Sequence, residues 1–449
     1  MKQLLLLLSI LTHSSVGFAQ RLYVCQDGSG NRNGESWENA MGDINQAVEK
    51  ATSGYTIFVA PGTYEGGFYM KQGVRVIGSV AYGDDKEYVS RSIENIPENE
   101  TTILDGKNRY RVITQENDFT ESAVWEGFVI RNGNANEGAG VRLRKNGTIR
   151  NCMIDNNIAG MPSVGDYVAN VNGIIFDVNQ ADNTISVISS KNIIQNRQFD
   201  RAKQLAGEYK IGSTSNWHIP TVSEWETISG FSTENQFKTG VTFKLIERTM
   251  QRHGKNYLSG NTFWTSTSEG TDVKFVNFNS NEISSVNKWQ YNNVRVCKTY
   301  QPTNTKNNGG GINATGGTID NCIIKGNTAA NGSGVYARGN VTITNSTISE
   351  NINEKQLDID DKVVVDNTPN EISTLEAEKL SIGPNPVHAG QTITISPAKP
   401  NTNVWIYDLN GHMFSSSVLN SNQMAAPTQP GVYLVKIDNT QIIKLIVTK

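Results

Sequence analysis

Apolar and polar residues alternate in short runs along much of this chain, and three of the runs are versions of one another. They are Thr148-Ile-Arg-Asn-Cys-Met-Ile-Asp-Asn-Asn157, Thr318-Ile-Asp-Asn-Cys-Ile-Ile-Lys-Gly-Asn327 and Thr342-Ile-Thr-Asn-Ser-Thr-Ile-Ser-Glu-Asn351. A looser copy, Val124-Trp-Glu-Gly-Phe-Val-Ile-Arg-Asn132, precedes them. Each carries a small residue (Gly127, Cys152, Cys322, Ser346), an aliphatic or β-branched residue two places on, and Asn five places on (Asn132, Asn157, Asn327, Asn351). Alternation with a period of two predicts strands. A Gly-rich turn and an aliphatic residue recur in the same units: Gly138-Ala-Gly-Val141, Gly309-Gly-Gly-Ile312 and Gly332-Ser-Gly-Val335.

The spacings set the organisation. Gly127 to Cys152 is 25 residues and Cys322 to Ser346 is 24, but Cys152 to Cys322 is 170. One repeat accounts for 25 of those, so about 145 residues, roughly 160–304, read as a domain inserted into one turn of the repeat. A period in the mid-twenties with short strands fits one coil of a parallel solenoid, in which equivalent residues of successive coils stand ~4.8 Å apart. That stacking sets Arg150 on Asp320 and Asp155 on Lys325, both opposite in charge, and Cys152 on Cys322. The recurrent Asn would bond to the coils above and below it.

The N-terminal stretch carries a family likeness. Leu22-Tyr-Val, Gly34-Glu-Ser-Trp37, an amphipathic segment from Ile44 to Ala51 and Tyr55-Thr-Ile-Phe-Val-Ala-Pro-Gly-Thr-Tyr64 resemble the secreted right-handed parallel β-helix proteins of the pectate-lyase-like superfamily. The resemblance implies a helix capping the first coil, with further coils through Val74-Arg-Val-Ile-Gly78 and Thr102-Ile-Leu-Asp-Gly106. It speaks for the fold and not for an activity.

The insert has a different pattern. Asp166 to Val178 and Thr184 to Ser189 alternate as strands, and Phe199 to Glu208 reads as a helix. In Trp217-His-Ile-Pro-Thr-Val-Ser-Glu-Trp225, Thr221 can N-cap a helix and Glu224 completes a capping box, with Trp225 packing inward. Together with Thr262-Phe-Trp-Thr-Ser-Thr-Ser268 and Val294-Arg-Val-Cys-Lys-Thr-Tyr300, this resembles the C-type-lectin-like domains of bacterial surface proteins, the Lcl C-terminal and major paralogous domain families. That likeness implies a C-type-lectin-like fold and adhesion or ligand binding. The Pro-Thr-x-x-Glu-Trp element also resembles the formylglycine-generating enzyme family, whose copper chemistry needs two cysteines where the insert has only Cys297. The Glu-Pro-Asn and Trp-Asn-Asp elements of calcium-dependent sugar sites are not present. The candidate ligand-binding residues are aromatic: Trp289 and Tyr291 in the polar loop Asn287–Asn293, and Tyr257 in another polar loop. Trp217, Trp225 and Trp264 are expected in the core.

Glu354 to Lys379 is acidic and reads as a linker. From Leu380 short alternating strands are separated by Asn-Gly and Pro-Gly turns, as in a small β-sandwich. Ile382-Gly-Pro-Asn-Pro-Val387, Val404 to Gly411, Pro430 to Lys436 and Ile442 to Lys449 resemble the type A sorting domain of the type IX secretion system. That family implies recognition by an outer-membrane translocon, removal of the domain, and release or attachment to surface lipopolysaccharide.

Lys2, the run Leu4–Leu11 and Gly17-Phe18-Ala19 read as a signal peptide. The expected layout is therefore mainly β: 1–19 signal peptide, 20–159 and 305–352 parallel β-helix, 160–304 α+β C-type-lectin-like insert, 353–379 linker and 380–449 sorting β-sandwich. A secreted, surface-associated protein is expected, with no transmembrane segment. The net charge of −3 shows no basic stripe for nucleic acid. The four cysteines match no zinc pattern and read as buried thiols. No metal or cofactor is expected; Asp358, Asp360 and Asp361 could bind calcium, but a solvated linker is the preferred reading. Catalysis on the β-helix, as a polysaccharide lyase or glycoside hydrolase, is the alternative to binding. Its best local cluster is Asp105, Arg109 and Arg111, with Asp105 preferred as a turn residue before Gly106. A purely structural surface component is the third reading.

Overall fold

The computed structural model describes residues 20–84, 93–230, 240–303, 307–353, 355–366, 381–396, 402–408, 413–419, 421–437 and 441–449. The expected signal peptide, and the expected linker from 367 onward, lie outside the described residues. The chain forms two compact units, Met1–Asn367 and Thr368–Lys449. It is mainly β, with large parallel sheets stacked in an arrangement compatible with a β-helix-like fold.

Three parallel sheets build the body of the first unit. The first has eight strands in chain order: Arg21–Val24, Thr56–Val59, Arg75–Ile77, Ala123–Glu126, Gly147–Arg150, Gly317–Asp320, Val341–Thr344 and Val364–Asp366. Two six-stranded sheets follow the same progression, from Gly62–Glu65 to Thr347–Ile348 and from Phe68–Tyr69 to Leu357–Ile359. From Thr56 on, the chain visits the sheets in fixed rotation, so each circuit lays one rung on the last. The alternation in sequence becomes three apolar ladders. Ile57, Val76, Trp125, Ile149, Ile319 and Ile343 stand in register in the first sheet, all at 0 % exposure. Tyr64, Leu104, Ile130, Ile154, Ile324 and Ile348 form the second, and Phe68, Ile113, Val141, Ile312, Val335 and Leu357 the third. Each fully buried aliphatic is worth ~1.5–3 kcal/mol. Helix α1 (Ile44–Lys50) puts Ile44, Ala47 and Val48 into this core beside Leu22 and Val24, and Asp43 caps it by accepting from the Asn45 and Gln46 amides.

The turns between sheets explain the recurrent Asn. Asn151, Asn321 and Asn345 stand at positive φ (48°, 50° and 50°) between the first and second sheets. Asn pays less than other side-chain-bearing residues for that backbone conformation. Asn157, Asn327 and Asn351 do a different job. Each is buried, and its amide nitrogen bonds carbonyls of its own and the preceding rung. The side chains also bond each other: Asn157 Nδ2 donates to Asn327 Oδ1, and Asn327 Nδ2 to Asn351 Oδ1, both at 2.9 Å. The same oxygens accept the backbone amides of Asn157 and Asn327 at 3.0 Å. Beyond this ladder the Gly-rich turns pack closely, and a Cβ on Gly311 would stand 2.5 Å from the Gly334 carbonyl.

Register also corrects three expectations. In the loose copy, Arg150 pairs with Glu126, so Gly127 aligns with Asn151 and Phe128 with Cys152. Asn132 accordingly aligns with Asn156 and shares its positive φ, and Gly133 stands opposite Asn157. A glycine and an Asn both supply positive φ, which makes them interchangeable to the turn and misleading to the eye. Arg150 does stand beside Asp320, and Asp155 beside Lys325. Their closest ion pairs go to the other neighbouring rung, however: Arg150 with Glu126 at 2.7 Å and Asp155 with Arg131 at 3.3 Å. Asp320 instead accepts from Thr344 Oγ1 and the Asn345 amide. Finally, part of the acidic stretch read as a linker continues the sheets. Leu357–Ile359 pairs with Val335–Ala337, and Val364–Asp366 with Val341–Thr344. Leu357 supplies the apolar rung, and the surrounding aspartates face away from it and hide the pattern. All four cysteines are free thiols, and burial pushes Cys152 and Cys322 upward in pKa.

Residues between Ile158–Ala159 and Ile312–Ala314 leave the rung and, among the described residues, build an antiparallel sheet and a mixed sheet with three helices, α2 (Phe199–Glu208), α3 (Val222–Ser229) and α4 (Val241–Arg252). The four-stranded sheet joins Tyr167–Val168, Gly173–Asn179, Thr184–Ser189 and Cys297–Tyr300. The five-stranded sheet sets Asn292–Val294 between Ile194–Arg197 and Thr262–Glu269. The second unit pairs a three-stranded and a five-stranded sheet around Ile393, Ile395, Val404, Ile406, Val435 and Leu445. Among the described residues no helix is long and apolar enough to cross a membrane.

Asn327→Ala should lower unfolding free energy by ~2–4 kcal/mol, because it leaves the Asn157 amide and two carbonyls unsatisfied in the interior. Urea denaturation of the full chain measures this. A loss under ~0.5 kcal/mol would show that the ladder does not hold the rungs together.

Candidate functional site

Three places in the first unit combine chemistry with geometry. The first is the pair of loops singled out in the sequence. Asn287 Oδ1 accepts the Trp289 amide at 3.0 Å, and the Asn287 carbonyl accepts the Gln290 amide at 2.9 Å, which closes a tight turn. The start of α2 anchors that turn: the Phe199 amide donates to the Lys288 carbonyl, and Gln198 Nε2 donates to the Trp289 carbonyl. Lys288 pairs with Asp200 at 3.1 Å and lies 5.0 Å from the Trp289 ring centre. Asn261 links the second loop to the first. Its amide donates to the Tyr257 carbonyl, and its carbonyl accepts from Asn293, two residues beyond Tyr291. Tyr257, Trp289 and Tyr291 are 45 %, 58 % and 60 % exposed, and they are the large hydrophobics that the described part of the insert leaves most open. Trp217, Trp225 and Trp264 are buried, as expected. Trp225 Nε1 donates to the Trp264 carbonyl, and Trp264 Nε1 to the Arg197 carbonyl.

The second place was missed in the sequence. His218, Glu224 and Cys297 come together with their donor atoms within 4.8 Å of one another. Thr221 caps α3 by accepting the Glu224 amide, and the Glu224 carboxylate reaches back to the Thr221 amide at 2.7 Å, the expected capping box. The same carboxylate meets His218 Nε2 at 2.9 Å, and Cys297 Sγ meets that nitrogen at 3.1 Å. Burial would raise the Glu224 pKa, but the His218 and Thr221 bonds outweigh it and hold the carboxyl at about 2. The Glu224 bond raises His218, and burial raises Cys297. A cysteine–histidine–carboxylate relay needs its two partners on opposite ring nitrogens. Here both face Nε2, and the thiol is held protonated, so the group is not arranged as a relay. These are the side chains that could hold a zinc-type ion, which accepts nitrogen, oxygen and sulfur donors. Thr221 holds Glu224 Oε2, which leaves Oε1 as the oxygen on offer. The signal available in the sequence was a His three residues before the capping Thr; the partner Cys lies 79 residues away and is brought in by the His218–Cys297 bridge.

The third place is where the insert meets the parallel sheets. Helix α4 seats there: Lys244 pairs with Asp43 and Arg252 with Glu116, both at 2.5 Å, while Arg248 lies 3.8 Å from the Tyr69 ring centre. Beside it is a cavity of about 600 Å³. Arg111, Arg142 and Arg144 line it from the sheets; Asp166, Tyr167 and Tyr300 are among its lining residues from the insert.

The carboxylate clusters weighed in the sequence do not converge. Asp105 Oδ1 accepts the Lys107 amide at 2.8 Å, a turn role, while Arg109 pairs with Asp177 and Arg111 with Asp166. Asp358 pairs with Arg338 and Lys355, and Asp360 accepts the Gly339 and Lys362 amides.

Stability should respond to pH through His218 and Glu224. Glu224, depressed in the folded chain, contributes fully above its ordinary 4.5 and loses that contribution as pH falls toward 2. His218, raised, contributes fully below its ordinary 6.5 and loses that contribution as pH rises through the raised value. Glu224→Gln keeps the capping geometry and removes the charge. It should cost ~0.5–1 kcal/mol near pH 5.5 and flatten the acid limb of the melting-temperature profile. A variant profile parallel to wild type at every pH would contradict this assignment. In the comparison with known proteins, no family model and no curated protein matches the chain.

Proposed function

We propose that this chain is a secreted cell-surface binding protein: a right-handed parallel β-helix displays an inserted C-type-lectin-like domain, and the insert recognises a glycan or a host or matrix protein. The observation that carries the reading is the exposure of Tyr257, Trp289 and Tyr291 on two loops linked through Asn261. The other insert tryptophans are buried and hydrogen-bonded or packed in the core, so these rings are not needed to fill it. Aromatic faces stack on sugar rings and anchor protein interfaces, and a loop pinned at both sides loses little entropy on binding. The C-terminal unit is read as a type A sorting domain, which the type IX translocon would recognise, on the strength of its motifs and its two-sheet core.

The body offers less to a lyase or hydrolase. Such chemistry needs a carboxylate free to take or give a proton at the scissile bond. Glu126 sits between Arg75 and Arg150, Asp155 against Arg131, and Asp358 against Arg338 and Lys355. These outward carboxylates tie rung to rung.

A glycan and matrix-protein array probed with the full chain should give ligands whose signal drops about tenfold or more in Trp289→Ala/Tyr291→Ala. Both side chains are exposed, so the melting temperature should stay within ~2 °C. Full binding by this variant would contradict the aromatic site.

A further inference from the structure

The cavity between the insert and the parallel sheets carries a charge imbalance. Arg142 lies in the strand Val141–Leu143 of the third sheet, in register between Thr114 and Asn313. Val141 and Leu143 are in the core, so alternation turns Arg142 to the outer face, toward the insert. Arg144 follows on the same side, and Arg111, only 7 % exposed, stands nearby. Three acids line the same wall, Glu116, Glu137 and Asp166, and two of them are held by other arginines. Glu116 is held by Arg252 at 2.5 Å and Arg248 at 3.7 Å, and Asp166 pairs with Arg111 at 3.5 Å. Among the described residues Arg142 and Arg144 form no ion pair.

Several polar atoms here are also unsatisfied. The Nε atoms of Arg142 and Arg144, Oδ1 of Asn136 and the hydroxyl of Tyr300 are shielded from solvent and meet no hydrogen-bond partner. All four residues line the same cavity. The like charge of Arg111, then burial, pulls the Arg142 pKa down to about 10. Two guanidinium groups pressed together in a half-buried wall are unfavourable until an anion joins them, and their planar forks match a carboxylate or sulfate in two-point contact. The volume, about 600 Å³, exceeds what a lone inorganic anion fills and lies in the range of small-molecule sites. Tyr167, stacked on His253 at 4.3 Å, and the free Tyr300 hydroxyl add a ring and a donor suited to a sugar.

We propose that this cavity binds an acidic saccharide, one bearing carboxylate or sulfate groups, with Arg142 and Arg144 holding the anion and Tyr300 donating to it. The site needs both the parallel sheets and the insert. It is separate from the aromatic loops and stands whether or not they bind anything.

Titration calorimetry on the full chain tests this with three probes: a uronic acid trisaccharide, a sulfated disaccharide and a neutral hexose trisaccharide. At least one acidic probe should bind and the neutral one should not; which acidic probe binds identifies the anion. Arg142→Gln/Arg144→Gln should weaken binding by at least about tenfold, the loss expected for charge-assisted bonds. Tyr300→Phe, which leaves both charges in place, should weaken it about threefold or more and serves if the double variant does not fold. Trp289→Ala/Tyr291→Ala should leave it unchanged, which separates this site from the aromatic one. Failure of both acidic probes to bind at millimolar concentration, equal binding of the neutral probe, or full affinity in the folded arginine variant or in Tyr300→Phe would overturn the proposal.

Discussion

The structure of the first unit depends on satisfying buried backbone between stacked rungs. Strands solve this within each sheet, but at the corner after the second sheet only a short pairing, Asn134–Ala135 with Ile158–Ala159, and single bridges continue the ladder. Asn157, Asn327 and Asn351 solve it there, each using one amide to bond its own rung, its neighbour's side chain and a carbonyl of the preceding rung. An unpaired buried polar group costs about as much as several such bonds contribute, so the ladder stabilises mainly by excluding other registers. A slip of one residue would turn every aliphatic of the three core ladders outward.

That constraint accounts for the large insertion. Ile154 and Ile324 are neighbours in the second sheet although 170 residues separate them, against 24 between Ile130 and Ile154 or between Ile324 and Ile348. The chain can leave after Ala159 and return before Ile312 because the Asn157–Asn327 bonds and the flanking strands hold the rung on both sides of the excursion. The insert is then seated by charge and close packing at α4. A Cβ on Gly66 would stand 2.6 Å from Val241 Cγ1, so glycine is what lets the helix approach. Glu116 pairs with Arg248 and Arg252 in seating it, and among the described residues Arg142 and Arg144 form no ion pair, which gives the cavity its character.

Much of this was legible in the repeat. Period-two alternation marked the strands of the parallel sheets, and the Arg150–Asp320 register followed from stacking. The capping box at Thr221 and Glu224 was legible because its bonds are local. What escaped depended on residues far apart in the chain. Cys297 reaches His218 only through tertiary bridging, and Arg142 and Tyr300 line one cavity only because the insert folds back onto the third sheet. The last rung escaped for a different reason: Leu357, partly buried against the core, stands beside Asp358 and Asp360, whose ion pairs and turn bonds read in sequence as solvated charge.

Register across the insertion is the central claim, and disulfide trapping tests it most directly. Thr148 and Thr318 are partners in adjacent strands of the first sheet, and Thr342 lies one strand further on. In Thr148→Cys/Thr318→Cys, mild oxidation followed by peptide mass spectrometry should find residues 148 and 318 joined, with no such link in Thr148→Cys/Thr342→Cys. Equal linkage in the two variants, or linkage only in the second, would contradict the stacked register on which the account rests.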